Sequence, residues 1–342
     1  MWTCGAPVDS FPIMGSRATY YMMRGGELTV SSCKWGAYGV DAALFGGPDA
    51  VHHLFDPPDP SYAYEDEIMC EGGFFLDADA RRLRMFGGEL IGYQPSLRPA
   101  YLGLLELIWP GWDVDWAYDG ICELKDLVRG DARAVVDVNE DHLRYLHVVH
   151  PDSLAEVEPL FDPELASGEH VVVVSFLAGG DVDDHVVPDD DLAHLLGLGP
   201  DLERHLGERF LCALPTEEHD LHVRGGAVVE PERLCLTVWM DKPRWLDFQL
   251  LARRWPGWTL QRQDEGLPHQ ALQTERDPAL YRLDATVAVA RILEKLDKSR
   301  GFREHPAVRE ILRGAPEADE PRLLAEHIHP RAAREPRTVA RS

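Results

Sequence analysis

The sequence is short of positive charge. Its 342 residues include 34 Lys and Arg against 59 Asp and Glu, which gives a formal net charge of −25 at pH 7. A polyanion repels DNA, RNA and anionic lipid surfaces, so this composition argues against nucleic-acid and membrane partners. It is compatible with a basic protein or a cation as a partner.

The sequence also lacks a long hydrophobic run. No apolar stretch approaches the about 20 residues of a membrane-spanning helix, and residues 1–18 contain neither a basic nor an apolar signal-peptide region. We therefore expect a cytoplasmic protein. The cysteines form no Cys-x-x-Cys pair, which predicts free thiols; they are Cys4, Cys33, Cys70, Cys122, Cys212 and Cys235.

Motifs of the common catalytic and cofactor sites are missing. The chain has no Walker loop, no His-Glu-x-x-His, no Gly-x-Ser-x-Gly, and no Gly-x-Gly-x-x-Gly after a strand. We therefore predict no cofactor. Many active sites are assembled from separated residues, so the sequence leaves open whether the protein is an enzyme.

The four residues Trp-Pro-Gly-Trp occur twice, at 109–112 and 255–258. Aligning the copies places Gly120 on Gly266, and the upstream segments GGFFLDADARRLRMF and GGAVVEPERLCLTVW share a Gly-Gly pair, an acid and an Arg-Leu step. Internal duplication explains these matches best.

Both copies predict the same local structure. Short β-branched and aromatic runs separated by turn residues predict paired strands. In LRPAYLGLLELIW the apolar residues recur every three or four positions, which predicts a helix that Pro110 and Gly111 end before a further strand. We predict an α+β fold with two related units, residues 14–130 and 131–275. The corners between helix and strand should then be structural and buried, rather than an aromatic ligand platform; their indoles are Trp109, Trp112, Trp255 and Trp258.

After residue 275 the pattern becomes helical. Asp277 and Pro278 are a favourable N-cap and first helical residue, and further amphipathic segments follow. We predict C-terminal helices over 276–329. The Arg-rich, apolar-poor segment 330–342 is predicted to be disordered.

The strand after the first corner is the main candidate for a binding site. Its alternation places Asp113, Asp115 and Asp119 on one face, and an aromatic stripe that includes Trp116 and Tyr118 on the other. This pattern fits either a half-buried strand with a solvated acidic face or a recognition edge for a basic partner.

A second acidic segment offers oxygen ligands for a hard cation. In GGDVDDHVVPDDD the candidate ligands lack the glycine and terminal glutamate of an EF-hand loop, so an acidic surface loop is the alternative. The candidates are Asp181, Asp183, Asp184 and His185.

The opening of the chain carries one resemblance. Residues Met14–Ala18 (MGSRA) and Cys33–Ala37 (CKWGA) resemble uncharacterised bacterial proteins that begin Met-Gly-x-Arg-Ala and continue to Ser-x-Trp-Gly-Ala, with Cys33 in place of the serine. The resemblance implies no activity, and it suggests Met14 as an alternative start to Met1.

Two functions follow from these observations. The first is an acidic intracellular protein that binds or neutralises a basic partner, in the manner of bacterial immunity proteins. The second is an enzyme, such as a metal-dependent hydrolase, whose site is built from separated His and Asp residues. The sequence leaves the partner, the substrate and the oligomeric state open.

Overall fold

The computed structural model describes residues 16–55, 70–92, 94–129, 170–188, 192–206, 222–240, 248–264, 266, 270, 273–274, 284–296, 301–328 and 337–341. Its contacts divide the chain into two units, and each unit is discontinuous in sequence. The first contains 1–139 with 285–331, and the second contains 140–284 with 332–342. The predicted boundaries near 130, 275 and 329 lie outside the described residues.

The first unit contains a five-stranded mixed sheet. Its strands are β1 (Ala18–Arg24), β2 (Glu27–Cys33), β3 (Gly72–Asp77), β4 (Arg82–Phe86) and β5 (Asp113–Trp116). Their order is β2-β1-β3-β4-β5. β1 is parallel to β3 and β4 is parallel to β5, whereas β1–β2 and β3–β4 are antiparallel pairs.

Helices cover both faces of this sheet. They are α1 (Val40–Leu44), α2 (Pro48–Val51), α3 (Arg98–Ile108) and α4 (Gly120–Arg129). Val40 of α1 approaches Gly72 on one face, and α4 begins against Phe86 on the other. On the α1 face, Tyr20 and Phe74 stack with ring centroids 4.8 Å apart, which anchors the core between β1 and β3.

The second unit repeats this sheet. Its strands are β6 (His170–Ala178), β7 (Asp181–Pro188), β8 (His222–Glu230), β9 (Cys235–Met240) and β10 (Thr259–Arg262), and its helices are α5 (Leu192–Gly197), α6 (Leu202–Leu206) and α7 (Phe248–Arg254). The order β7-β6-β8-β9-β10 matches the first sheet strand for strand, as do the parallel and antiparallel pairs. The predicted α+β class and the predicted duplication are confirmed.

The duplication extends to backbone detail at the hairpins. The turn between the third and fourth strands of each sheet ends on a left-handed non-glycine residue, Arg81 (φ 52°) in the first and Leu234 (φ 47°) in the second. The Gly-Gly turn of the neighbouring hairpin donates main-chain N–H groups to a carboxylate of this turn. Gly25 and Gly26 both donate to Asp79 at 2.8 Å, and Gly179 donates to Glu232 at 3.0 Å. In both units, therefore, a carboxylate of the second hairpin binds the turn of the first hairpin.

The C-terminal segment is helical, as predicted. It contains α8 (Ala285–Leu296), α9 (Pro306–Ile311) and α10 (Glu320–His327), and α8 packs against α10 and against α3. Phe302, between α8 and α9, lies against Phe45 with ring centroids 4.7 Å apart. These helices thus complete the core of the first unit. In the described part of the chain, no helix is long and apolar enough to cross a bilayer.

The predicted disorder of the C-terminal tail is wrong for its last residues. Arg337–Arg341 forms β11, which pairs antiparallel with the outer edge of β10 and extends the second sheet to six strands. The segment RTVAR contains two β-branched residues, and an open strand edge offers it a full set of main-chain partners. Pairing with an edge overrides the low apolar content that predicted disorder.

Candidate binding surface

The two Trp-Pro-Gly-Trp corners have the same geometry. Each connects a helix to the next strand, and the first indole of each is fully buried. Its N–H donates to a main-chain carbonyl, at 2.9 Å in α1 for Trp109 and at 2.7 Å in α5 for Trp255. Within each corner the two indoles meet edge to face, and Trp258 is buried while Trp112 is partly buried. These contacts place the corners in the two cores.

The strand predicted as a recognition edge is mostly buried. Asp115 is 8% exposed and Trp116 is 4% exposed. Asp113 is exposed, but the Arg84 guanidinium lies 2.6 Å from its carboxylate. Tyr118 and Asp119 are partly buried. The expected row of three solvated carboxylates is therefore wrong.

The cause is α4, which the sequence analysis did not predict. This helix packs on β3 and β4, over the sheet face that carries Asp113 and Asp115. Its apolar positions Ile121, Leu124 and Val128 are all buried against that face. The acidic stripe therefore lies at the margin of a helix–sheet interface.

Asp115 has a structural role at the edge of the first sheet. The main-chain N–H groups of Asp113 and Ala117 donate inward, to Arg81 just before β4 at 2.8 Å and to Met85 of β4 at 2.7 Å. The alternation therefore points the N–H of Trp116 outward. That N–H donates to Oδ1 of Asp115 at 2.9 Å. The carboxylate thus caps an amide that another strand would otherwise use.

The predicted cation ligands do not converge. All four lie on β7, where alternation directs Asp184 and His185 to opposite faces of the sheet. Asp184 accepts a hydrogen bond from Ser175 at 2.6 Å, whereas His185 packs edge to face on Phe176. Asp181 and Asp183 are exposed. Within the described ranges, no group of three or more His, Cys, Asp or Glu side chains is arranged to hold a metal ion.

The second sheet contains a buried polar network around Gln270. The Gln270 amide donates to the Ser175 hydroxyl at 2.7 Å and accepts from the Trp239 indole N–H at 2.7 Å. A side chain at Gly226 would collide with both Gln270 and Trp239. These hydrogen bonds are all made within the chain, so we assign the network to packing and register.

An exposed aromatic pair lies at one end of the first sheet. Residues 34–39 connect β2 to α1, and we call this segment the aromatic turn. It presents Trp35, 38% exposed, and Tyr38, 48% exposed, while Ala37 between them is buried. Trp35 directly precedes the 3-10 turn Gly36–Gly39 that contains Tyr38, so two exposed rings lie within one short, tightly turned segment.

Close packing and main-chain hydrogen bonds fix the backbone of the aromatic turn. Gly36 leaves no room for a side chain, because a Cβ there would lie 2.2 Å from the Tyr20 hydroxyl. The N–H of Ala37 donates to Ser16 at 3.1 Å, and its carbonyl accepts from Gly88 at 3.1 Å. A surface whose backbone is already fixed loses little conformational entropy when it binds a partner.

A buried carboxylate supports this end of the sheet. Oδ2 of Asp41 accepts from the N–H groups of Leu90 and Ile91 at 3.1 and 3.4 Å, and Oδ1 accepts from Ala42 at 2.9 Å. Burial raises the pKa of Asp41 from its ordinary 3.8 to about 6, although these three N–H groups oppose the shift. In the same loop, the N–H of Glu89 donates to the Tyr38 carbonyl at 3.4 Å.

Comparisons of this chain with the families of known proteins, with curated proteins and with solved structures found no match.

The aromatic turn was not among the sites predicted from the sequence. The available signal was local. In KWGAYG, two aromatic residues lie three positions apart and are separated by small residues. A tight turn cannot bury both rings, so this pattern predicts that at least one of them is exposed.

Proposed function

We propose that the protein is a binding protein that docks a basic protein partner through the aromatic turn. The observation that carries this proposal is the joint exposure of Trp35 and Tyr38 on a rigid backbone. Trp and Tyr are the residue types most enriched among those that dominate binding energy at protein interfaces.

The charge of the chain favours a basic partner. The net charge of −25 attracts a cationic protein over long range and accelerates its association. Close to the aromatic pair, Glu89 is exposed and its backbone is fixed to that of Tyr38. Long-range attraction would bring the partner to the surface, and the two rings with this carboxylate would supply the short-range contacts.

The proposal is tested by titrating the protein with a decapeptide of arginine, and with a decapeptide of glutamate as the negative control. We expect the change of Trp35 and Tyr38 together to Ala to weaken arginine-peptide binding by at least about 30-fold, the effect of one interface hot spot of about 2 kcal/mol. Leu234→Ala, which removes an equally exposed apolar side chain from the second unit, is the matched control. Equal affinities for the double variant and the control would refute the proposal.

A further inference from the structure

The aromatic turn already holds a cation against its indole. The Lys34 ammonium lies 5.7 Å from the centroid of the Trp35 ring, within the range of a cation–π contact. Lys34 and Trp35 are both exposed. The contact joins neighbouring residues at the surface, so water competes with it continuously.

An arginine would make a stronger cation–π contact with an exposed indole than a lysine does. An ammonium is compact and strongly hydrated, whereas a guanidinium is planar, less hydrated and able to stack flat on an indole. The same unit contains a guanidinium over an indole, because the guanidinium carbon of Arg98 lies 4.1 Å from the centroid of the Trp116 ring. Arginine therefore approaches an indole in this protein more closely than Lys34 approaches Trp35.

We propose that Lys34 occupies, in the free protein, the position on Trp35 that an arginine of the partner takes in the complex. On binding, the partner's guanidinium would displace the Lys34 ammonium from Trp35. This inference rests on the proposed function, and it names arginine as the anchoring side chain. The backbone N–H of Glu89 donates to the Tyr38 carbonyl and its side chain is exposed, so we expect this carboxylate to pair with the incoming cation. Lys34 would then keep the indole covered in the free protein.

The test compares Lys34→Ala with wild type in titrations of the arginine decapeptide, at about 0.5 M salt so that long-range charge effects are screened. Loss of the competing lysine should strengthen binding about two- to fivefold, the equivalent of one exposed cation–π contact. Lys295→Ala removes the same charge from an exposed position on α8 and should leave the affinity unchanged. A decapeptide of lysine should bind more weakly than the arginine peptide.

A spectroscopic measurement follows the displacement directly. In the free protein the side-chain methylene protons of Lys34 should show a ring-current shift from Trp35, and saturation with the arginine peptide should abolish it. Unmoved Lys34 signals at saturation, or a Lys34→Ala affinity equal to that of Lys295→Ala, would overturn the displacement. If the double Trp35 and Tyr38 variant still lost binding to the arginine peptide, the proposed function would stand without the displacement. If the double variant bound normally, both the proposed function and the displacement would be refuted.

Discussion

Replacing Asp41 by Asn should change how the stability of the protein depends on pH. Asp41 is 1% exposed, and its folded-state pKa of about 6 lies above the ordinary 3.8 expected in the unfolded chain. Ionising this carboxylate in the folded state therefore costs about 3 kcal/mol more than in water. Its protonation stabilises the fold fully below pH 3.8, and that contribution disappears as the pH rises through about 6.

The other groups around Asp41 do not reverse this sign. The nearby charge of Glu89 raises the pKa of Asp41 further. Tyr101, whose hydroxyl donates to the Asp41 carbonyl at 2.9 Å, is neutral in this range because burial raises its pKa well above the ordinary value. Asp41 is thus the group at this site that titrates near pH 6.

The measurement is the free energy of unfolding in urea at about pH 4.5, 6 and 7.5. The difference between Asp41→Asn and wild type should shift in favour of the variant by about 2 kcal/mol from pH 4.5 to 7.5, the part of the 3 kcal/mol that falls within this window. A constant offset is expected as well, since the Asn amide cannot accept from all three N–H groups. Asp49→Asn, which makes the same change at an exposed position on α2, is the matched control. A pH-independent difference for Asp41→Asn would refute the reasoning.

Three further predictions concern packing and the strand edge. Trp255→Ala should lower the free energy of unfolding by about 3–5 kcal/mol, because the indole is fully buried; calorimetry would check this, and an unchanged melting temperature would contradict it. Leu234→Asn should stabilise the protein by about 0.5–1 kcal/mol in urea unfolding, since Asn tolerates the left-handed backbone that Leu234 adopts at φ 47°; a destabilised variant would show that the leucine side chain matters more than the strain. Deleting residues 337–342 should increase self-association in sedimentation experiments by opening the edge of β10, whereas a deletion mutant that stays as monodisperse as wild type would show that this edge needs no cover.

The sequence predicted the duplication because Trp-Pro-Gly-Trp is demanding in physical terms. The indole of Trp109 needs a buried carbonyl partner, and Gly111 needs a left-handed backbone at φ 77°, so the same four residues recur only where the same corner recurs. The α4 helix was accessible from the spacing of its apolar residues. The strand pattern ends at Gly120, so the alternation that predicts β5 carries no information on the helix that follows it.

Burial of Asp115 could not be predicted in the same way, nor could the choice of Ala37 over its neighbour Trp35 as the buried residue of the turn. Alternation within a strand assigns residues to faces, but it does not say which face a later helix will cover. Likewise, Trp35 and Ala37 are neighbours in one turn, and only the approach of Gly72 on β3 decides that Ala37 points inward. Both outcomes depend on contacts between residues that are distant in sequence.

The interleaving of the two units has a consequence for synthesis of the chain. The first unit includes α8–α10 and the second includes β11, so each unit draws on residues that are translated after residue 284. Domains that are continuous in sequence can fold one after another as they leave the ribosome. Here the core around Phe45 is completed only after Phe302 has been synthesised, and the edge of β10 is covered only after residues 337–341 have been synthesised. A nascent chain stopped before residue 285 would therefore lack both the helices that complete the first core and the strand that covers the edge of β10.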